Sequence, residues 1–230
     1  MTMPGLTLLA ITASLSLSTA AAAQRVRFGS HGGLAIATIT ELDPTLAFGG
    51  FTFERKRRIG AQAGVFATIP VRGAWSVQPE VNYTQKGVRV ETSFAPVDGG
   101  PATIDVDLDY VEVPVLLRFD AARHRAWHPF AVAGPSLGFR TRCQSDLATS
   151  GVTYSSRCGA PDGALYTIDT PFKRTEVAGV VGLGLTGPLG RRRSYAELRY
   201  ARSLSTINDQ AEVPLSPKHS GVSILFGIGF

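Results

Sequence analysis

Apolar and polar side chains alternate along much of this chain with a period of two residues. The clearest case is the segment 74–92. One of its faces carries Trp75, Val77, Pro79, Val81 and Tyr83. The opposite face carries Ser76, Gln78, Glu80, Asn82 and Thr84. This period indicates a β-strand with two different environments on its two sides, and long stretches with the helical period of 3.6 are absent.

Eight segments show a strand pattern, and the connections between them alternate in length. The predicted strands are 26–39, 59–70, 74–92, 103–120, 128–142, 175–187, 194–205 and 220–230. The longer connections are 40–58, 93–102, 143–174 and 206–219. Short turns rich in Gly and Pro or in small residues separate the other strands. This alternation predicts an up-and-down antiparallel barrel with both termini on the short-turn side.

The two faces of the predicted strands differ in side-chain size as well as polarity. The faces opposite the apolar stripes are rich in Gly, Ser and Ala and hold a few charges. Such faces suit a narrow lumen, and an eight-stranded barrel is just wide enough for side chains to fill it. We therefore predict an all-β fold, an eight-stranded antiparallel up-and-down transmembrane β-barrel. The alternative fold is a soluble lipocalin-like binder, with an apolar cavity inside and a polar outside.

Composition agrees with strands that face lipid. Charged residues make up 18% of the chain, below the usual fraction of about a quarter. After Leu17, no stretch approaches the ~18 consecutive apolar residues of a transmembrane helix. Alternating strands reconcile these two observations, because half of their residues can face lipid while no window of sequence is strongly apolar.

The first residues have the pattern of an export signal. The apolar run Leu6 to Leu17 is short, and Ala21, Ala22 and Ala23 precede Gln24, as at a small-residue cleavage site. We predict a signal peptide at 1–23 and a barrel domain at 24–230.

Charged residues on the inward faces are expected to pair with one another inside the lumen. An unpaired arginine at mid-depth in lipid would cost ~2–4 kcal/mol. The predicted lumen network consists of Glu80, Glu112, Arg118, Glu197 and Arg199. A structural ion-pair network is strongly favoured over a catalytic acid pair.

Two strands do not keep a clean phase. In the fourth, the apolar positions at 104–108 are out of phase with those that follow Tyr110. Either a bulge lies near Tyr110 or the neighbouring aspartates face water above the membrane. In the fifth, the phase changes between 130–132 and 137–139, and Gly134-Pro135 between them indicates either a bulge or an edge-like distortion.

Several stretches resemble the outer membrane protein β-barrel domain family, also called PorT-like. The matching stretches are VQPEVNYTQKGVRV (77–90), DYVEVPVLLRF (109–119), HPFAVAGPSLGFR (128–140), SYAELRYARSLSTI (194–207) and FGIGF (226–230). The resemblance implies the outer membrane of a Gram-negative-type cell. It also implies folding by the outer-membrane barrel assembly machinery, and it implies no particular ligand.

The last predicted strand carries an apolar stripe on alternate residues, as barrel strands that close on the first strand do. The stripe consists of Val222, Ile224, Phe226, Ile228 and Phe230. Eleven residues at ~3.3 Å each and ~45° tilt rise about 25 Å, one crossing of the apolar band. Such a terminal strand resembles the signal that the assembly machinery reads.

The two cysteines, Cys143 and Cys158, are close in sequence. Export to an oxidising compartment favours a disulfide between them, worth roughly 3 kcal/mol by loop entropy. They would close part of the predicted loop 143–174, which we expect to be the recognition surface for an unidentified partner. The loop holds Tyr154, Arg157, Asp162 and Tyr166, and the alternative is a variable loop without a partner.

A basic run, Arg55, Lys56, Arg57 and Arg58, is placed at the outer rim by the predicted topology. Arginine clusters bind phosphate well, so contact with lipid phosphates is one interpretation and a solvated loop end is the other. The run lacks interleaved aromatic residues, so nucleic acid is not indicated as a partner.

The histidines are scattered, and none has metal-ligand spacing, so no metal or other cofactor is predicted. His31 and His219 lie on strands that pair on closure, but no G-x-S-x-G element accompanies them. We therefore predict a non-enzymatic integral outer-membrane protein that acts in envelope structure or surface interaction through its outer loops. The alternatives are an accessory barrel for secretion or assembly and, less favoured, a barrel enzyme with a site at the rim.

Overall fold

A computed structural model describes residues 26–40, 45–48, 51–93, 99–157, 174–205 and 218–230. Eleven strands are present in these residues. They are β1 (Arg27–Thr40), β2 (Thr45–Phe48), β3 (Phe51–Lys56), β4 (Arg58–Arg72), β5 (Trp75–Thr92), β6 (Ala102–Asp120), β7 (His128–Thr149), β8 (Val152–Arg157), β9 (Thr175–Leu189), β10 (Arg192–Ser203) and β11 (Lys218–Gly229). Within the described ranges, no helix is long and apolar enough to cross a membrane.

Eight of these strands form a closed antiparallel barrel. The order around it is β1, β4, β5, β6, β7, β9, β10 and β11, and each strand pairs with the next. The ring closes because β11 pairs with β1 from Gly29 opposite Gly229 to Thr40 opposite Lys218. The predicted eight-stranded up-and-down barrel is confirmed, and the soluble lipocalin-like alternative does not fit the apolar outer surface described next.

The outward faces of the barrel strands are apolar and the inward faces are polar. On β5, Trp75 and Val81 are exposed, whereas Ser76 and Glu80 are buried. The most exposed large apolar side chain of the wall is Leu183 on β9, with 68% of its surface exposed. Because water would penalise such a surface along every strand, the barrel wall must face lipid.

The short turns join strands at one end of the barrel. Gly73 and Gly190 have φ values of 55° and 60°, in the left-handed region that glycine adopts at no steric cost. Each begins a two-residue link, between β4 and β5 and between β9 and β10 respectively. These turns face the periplasm in barrels of this kind, which places the longer connections outside the cell.

Aromatic rings mark both ends of the apolar wall. At the short-turn end, the exposed rings are Phe28, Trp75, Phe119, Trp127 and Phe230, and Trp75 packs on Phe119 with ring centroids 4.8 Å apart. Towards the other end, the outward aromatic side chains are Tyr83, Phe139 and Tyr200. Aromatic girdles at these two levels are typical of membrane–water interfaces.

A bulge lies beside Tyr110, but it is on the neighbouring strand β7, so it does not change the phase of β6. Asp109 pairs with Arg142 but Tyr110 pairs with Arg140, so Thr141 of β7 is the extra residue. β6 keeps a single phase through this point, so its apolar residues at 104–108 face inwards. Asp105 and Asp107 are on the outward side above the lipid-facing wall, as the second alternative predicted. The bulge reverses the phase of β7, so that Ser145 and the residues in step with it face inwards beyond Thr141.

The other suspected bulge, at Gly134, is absent from the barrel. The pairing of β7 with β9 runs without a shift from His128 opposite Thr186 to Phe139 opposite Thr175. Phe130 and Val132 are instead buried in the lumen. Apolar inward residues therefore explain the pattern that suggested a change of phase.

Strands β5, β6 and β7 continue beyond the upper aromatic residues and form a sheet outside the membrane. β3 adds to its β5 side and β8 to its β7 side, and β2 pairs with β3. The predicted loops 40–58 and 143–174 are thus partly strands. Beyond the bulge, residues 142–149 of β7 pair with residues 102–109 of β6. The backbone N–H and C=O groups there are therefore hydrogen-bonded to the neighbouring strand and not to water.

Candidate functional site in the lumen and outer sheet

The centre of the lumen is a buried ion-pair cluster around Arg199 of β10. Its Nη1 and Nη2 donate to the Glu80 Oε2 and Oε1 atoms of β5 at 2.7 and 3.0 Å. Its Nε donates to Glu197 Oε1 at 2.6 Å. The fork of the guanidinium suits two carboxylates at once, and both carboxylate side chains are fully enclosed.

Uncharged side chains extend this cluster across the barrel. Gln78 and Asn82 donate their amide hydrogens to Glu80 at 2.8 and 2.9 Å. His31 Nε2 lies 2.8 Å from Asn82 Oδ1, and its Nδ1 lies 2.8 Å from the Tyr195 hydroxyl. Because Asn82 Oδ1 can only accept, Nε2 of a neutral ring carries the hydrogen and Nδ1 accepts from Tyr195. His31 is therefore committed to the lumen network.

A second cluster lies nearer the periplasm. Arg118 of β6 forms a bidentate pair with Asp120, with its Nη2 2.8 Å and its Nε 3.1 Å from Oδ1. Its Nη2 also donates to the Thr186 hydroxyl at 2.8 Å. The guanidinium stacks on the ring of Phe130, 3.7 Å from the centroid. Arg118 thus forms no ion pair with Glu80 or Glu197, but its Nη1 donates to Gln78 Oε1 at 3.3 Å, and Gln78 donates to Glu80.

A third cluster lies towards the outer side. Lys86 contacts Glu112 at 2.7 Å and Glu176 at 3.4 Å. His219 of β11 contacts Glu176 Oε2 through Nδ1 at 3.2 Å. The ion pairs of the five predicted network residues therefore fall into three clusters, and Gln78 links the clusters of Arg118 and Glu80. Sequence reasoning missed Lys86, Asp120 and Glu176, although all three share the inward phase of their strands.

Apolar side chains and small residues fill the space between the clusters. In the half of the lumen nearer the periplasm, the inward apolar residues are Phe66, Leu116, Phe130, Val132, Val180 and Tyr195. Between the central and outer clusters lies a cavity of about 40 Å³, bordered mostly by alanine, serine and other small residues. A cavity of this size holds only a few water molecules.

His31 and His219 are held in separate clusters. His31 of β1 is opposite Gly227 of β11, whereas His219 of β11 is opposite Ile39 of β1. Both imidazole rings are buried, and each is bonded within its own cluster. Within the described ranges, no group of three or more His, Cys, Asp or Glu side chains is placed to hold a metal ion.

Ion pairs cover the outward face of the outer sheet. Arg89 of β5 forms a bidentate pair with Asp105 of β6, with N–O distances of 2.7 and 3.0 Å. Asp107 pairs with Arg58. On β7, hydrogen bonds from Gln144 and Ser155 hold the pKa of the Asp146 carboxyl below its usual value. These exposed contacts contribute little stability individually, but they define a polar surface just above the membrane.

The inward face of the outer sheet is apolar. Its buried apolar residues are Ala102, Val88, Val106, Leu108, Tyr110 and Leu147, and Thr92, Ser145 and Thr149 are buried on the same face. Val88 of β5 packs with the β6 residues Val106, Leu108 and Tyr110 in one cluster. This packing gives the outer sheet its own core, so the strands beyond the membrane form an ordered extension of the barrel.

The basic run at the outer rim is partly engaged by this sheet. Lys56 contacts Glu91 at 2.5 Å, and Arg58 pairs with Asp107. Arg57 is exposed between β3 and β4. Arg55 lies in β3 opposite Val90, and its side chain is outside the described set. Contact of this run with lipid phosphates stays a proposal.

The predicted recognition loop is only partly described. Cys143, Tyr154 and Arg157 lie in the β7–β8 hairpin, whereas Cys158, Asp162 and Tyr166 lie outside the described residues. The Cys143 side chain packs against the apolar cluster of the outer sheet. The pairing of Cys143 with Cys158 stays a prediction.

The disulfide can be tested directly by mass. We expect the protein from the bacterial envelope to resist alkylation at Cys143 and Cys158 until it is reduced, because an oxidising compartment preserves such bonds. Mass spectrometry of unreduced peptides should show the two cysteines linked. Full alkylation of both thiols without reductant, under denaturing conditions, would contradict the prediction.

Comparison with known proteins places this geometry in context. No curated protein matches the sequence. Solved structures that resemble the chain over 89% of its length include Neisserial surface protein A, at 14% identity, 97% coverage of that chain and a TM-score of 0.45. They also include OprG from Pseudomonas aeruginosa, at 14% identity, 95% coverage and a TM-score of 0.43. A third is Ail from Yersinia pestis in complex with the heparin analogue sucrose octasulfate, at 16% identity, 99% coverage and a TM-score of 0.41.

A family profile also matches the sequence. The profile of the outer membrane protein β-barrel domain matches residues 17–209. It does not test the narrower PorT-like name, which stays a prediction. With the closed barrel and its lipid-facing wall, this match shows that the chain belongs to the outer membrane protein β-barrel domain family of Gram-negative bacteria.

Proposed function

We propose that this protein is a non-enzymatic barrel of the outer membrane that serves envelope structure or surface interaction. The observation that carries the proposal is the contrast between a filled lumen and an ordered outer sheet. The three polar clusters and the apolar residues between them occupy the interior, whereas β3 and β5–β8 extend into the extracellular space. Such an architecture suits a membrane anchor that presents a surface.

Export and assembly follow from the same proposal. The segment 1–23 would direct secretion, with cleavage near Ala23, and the barrel domain at 24–230 would then insert with help from the barrel assembly machinery. The apolar stripe on β11 is the candidate assembly signal. On β11, Val222, Ile224 and Phe226 are exposed towards lipid, and the strand pairs with both β1 and β10.

A filled lumen predicts that the protein does not conduct ions. Purified protein in planar lipid bilayers should show no steady conductance, because eight-stranded barrels are filled by side chains. The double variant Arg118→Ala, Phe130→Ala removes the large side chains of the cluster around Arg118. It should open the periplasmic half of the lumen and serve as a positive control. Steady conductance of the unmodified protein would contradict the proposal.

A secretion or assembly accessory is the second candidate, and the partner's location separates the two. A photo-crosslinking residue at Thr153, which is exposed on β8, would report surface partners. The same residue at Arg191, exposed in the β9–β10 turn, would report periplasmic partners. Specific products at Thr153 alone support surface interaction, products at Arg191 alone support the accessory role, and products at neither position favour a structural role.

A further inference from the structure

Arginines are concentrated at the periplasmic mouth of the lumen. Arg27 starts β1, Arg118 lies near the end of β6, Arg123 is in the β6–β7 turn and Arg193 is near the start of β10. These four side chains and Asp120 are close enough for their charges to interact. Within the described part of the chain, Asp120 is the only acidic side chain in this group, so positive charge is in excess.

The single carboxylate does not serve all four cations. Asp120 is bound bidentately by Arg118, and Arg123 donates to the backbone carbonyl of Gly73. No described carboxylate forms a salt bridge with Arg27 or Arg193. Arg27 is half-buried, so water screens its charge less than that of a fully exposed arginine. The group is therefore arranged in favour of an additional anion.

A small cavity lies between these groups. Its volume is about 40 Å³. The polar side chains that border it are Arg27, Thr68, Arg118, Asp120, His128, Thr186, Arg193, Ser194 and Tyr195. Arg118 and His128 are already engaged by Asp120, and Ser194 donates to the backbone carbonyl of Gly187. The guanidinium groups of Arg27 and Arg193 are therefore what the cavity offers to an added oxyanion, and the cavity is compact enough for one. This combination of positive charge and multiple donors is the chemistry that recognises a phosphate group.

We propose that the periplasmic mouth of the barrel binds a phosphate group through Arg27 and Arg193. The mouth lies level with the lower aromatic girdle, where Arg192 sits 4.9 Å from the centroid of the Phe230 ring. A phospholipid headgroup of the periplasmic leaflet and soluble phosphate are the two sources of this group. The site differs from the basic run Arg55 to Arg58, which lies on the outer side of the membrane.

The full chain, purified in a phosphate-free maltoside detergent, allows both sources to be tested. Phosphatidylglycerol and inorganic phosphate are titrated separately at constant ionic strength. Binding is followed by native mass spectrometry for the lipid and by ³¹P NMR for the ion. We expect saturable binding of at least one of them. The double variant Arg27→Gln, Arg193→Gln should bind about a hundredfold or more weakly, because it loses two charge-assisted hydrogen bonds and each costs about a factor of ten or more.

Matched controls separate the site from general positive charge. The double variant Arg72→Gln, Arg191→Gln removes the same charge from exposed arginines at the same end of the barrel and should bind as the unmodified protein does. The variant Arg27→Lys, Arg193→Lys keeps the charge but loses the planar fork, and it should bind with intermediate affinity. Heat-modifiable migration on unboiled gels verifies that each variant is folded.

The outcomes divide clearly. Saturable binding of the lipid, of the ion or of both, weakened only by changes at Arg27 and Arg193, supports the site, and binding of one alone identifies the source. Equal weakening in the Arg72 and Arg191 control, or no saturable binding of either ligand, overturns it. Capture of an acidic periplasmic protein through Arg27 and Arg193, without phosphate binding, also overturns it.

Discussion

Replacement of Arg199 by methionine should lower the free energy of unfolding by about 3–5 kcal/mol, because a buried ion pair would lose one partner. Glu80 and Glu197 would remain enclosed between β5 and β10 without their cation. The measurement is urea unfolding of the protein in lipid vesicles, followed by tryptophan fluorescence and heat-modifiable migration. Methionine keeps much of the side-chain volume, so the effect should come from charge rather than from a cavity.

Two further variants calibrate that result. Arg57→Met removes an exposed arginine outside the lumen and should change stability by less than about 0.5 kcal/mol. Adding Glu80→Gln to Arg199→Met should recover part of the loss, because one uncompensated buried charge disappears. If Arg199→Met and Arg57→Met unfold at the same urea concentration, the central cluster does not stabilise the barrel in the way that its geometry suggests.

Introduction of arginine at Leu183 should destabilise the inserted barrel by about 2–4 kcal/mol, the cost of this side chain at the middle of the bilayer. Leu183 lies near the middle of β9 on its lipid-facing side. The same change at Leu204, just beyond β10 at the outer end, is a closely matched control. The two leucines have nearly equal exposed fractions, 68% and 67%, but only Leu183 lies within the apolar wall.

The comparison of the two leucines tests the environment of the wall. Leu204→Arg should leave the unfolding free energy within about 0.5 kcal/mol of the original, because water can solvate the new charge. Folding yield into vesicles and urea midpoints provide the readout. If arginine changes the unfolding free energy equally little at both positions, the outer surface of the barrel faces water, which would contradict the membrane assignment.

The barrel itself was predictable because its signals are local. Period-two alternation defines each strand, and the contrast between large apolar and small polar faces indicates which side meets lipid. All eight barrel strands were placed within a few residues of their observed ends, apart from the extension of β7 to Thr149. The family resemblance rests on the same strands, and the domain profile confirms it.

The outer sheet was not predicted, since its signals depend on neighbouring strands. The extra residue at Thr141 reverses the phase of β7, and nothing in the local sequence marks that residue as unpaired. Residues 104–108 of β6 were recognised as out of phase with the lipid-facing stripe. Their inward orientation became clear only when the upper part of β7 and the hairpin with β8 completed the sheet.

The sequence by itself determined the strands, the polarity of each face and the residue types available to fill the lumen, because these depend on spacing along one segment. Only the tertiary structure decided which inward side chains meet. Glu80 and Arg199 lie on strands that are not neighbours, and closure of the ring brings them together across the lumen. Arg118 was assigned to the same network, and register gives it Asp120 as its ion-pair partner and links it to Glu80 only through Gln78. Contacts across a barrel depend on register and closure, which no single strand encodes.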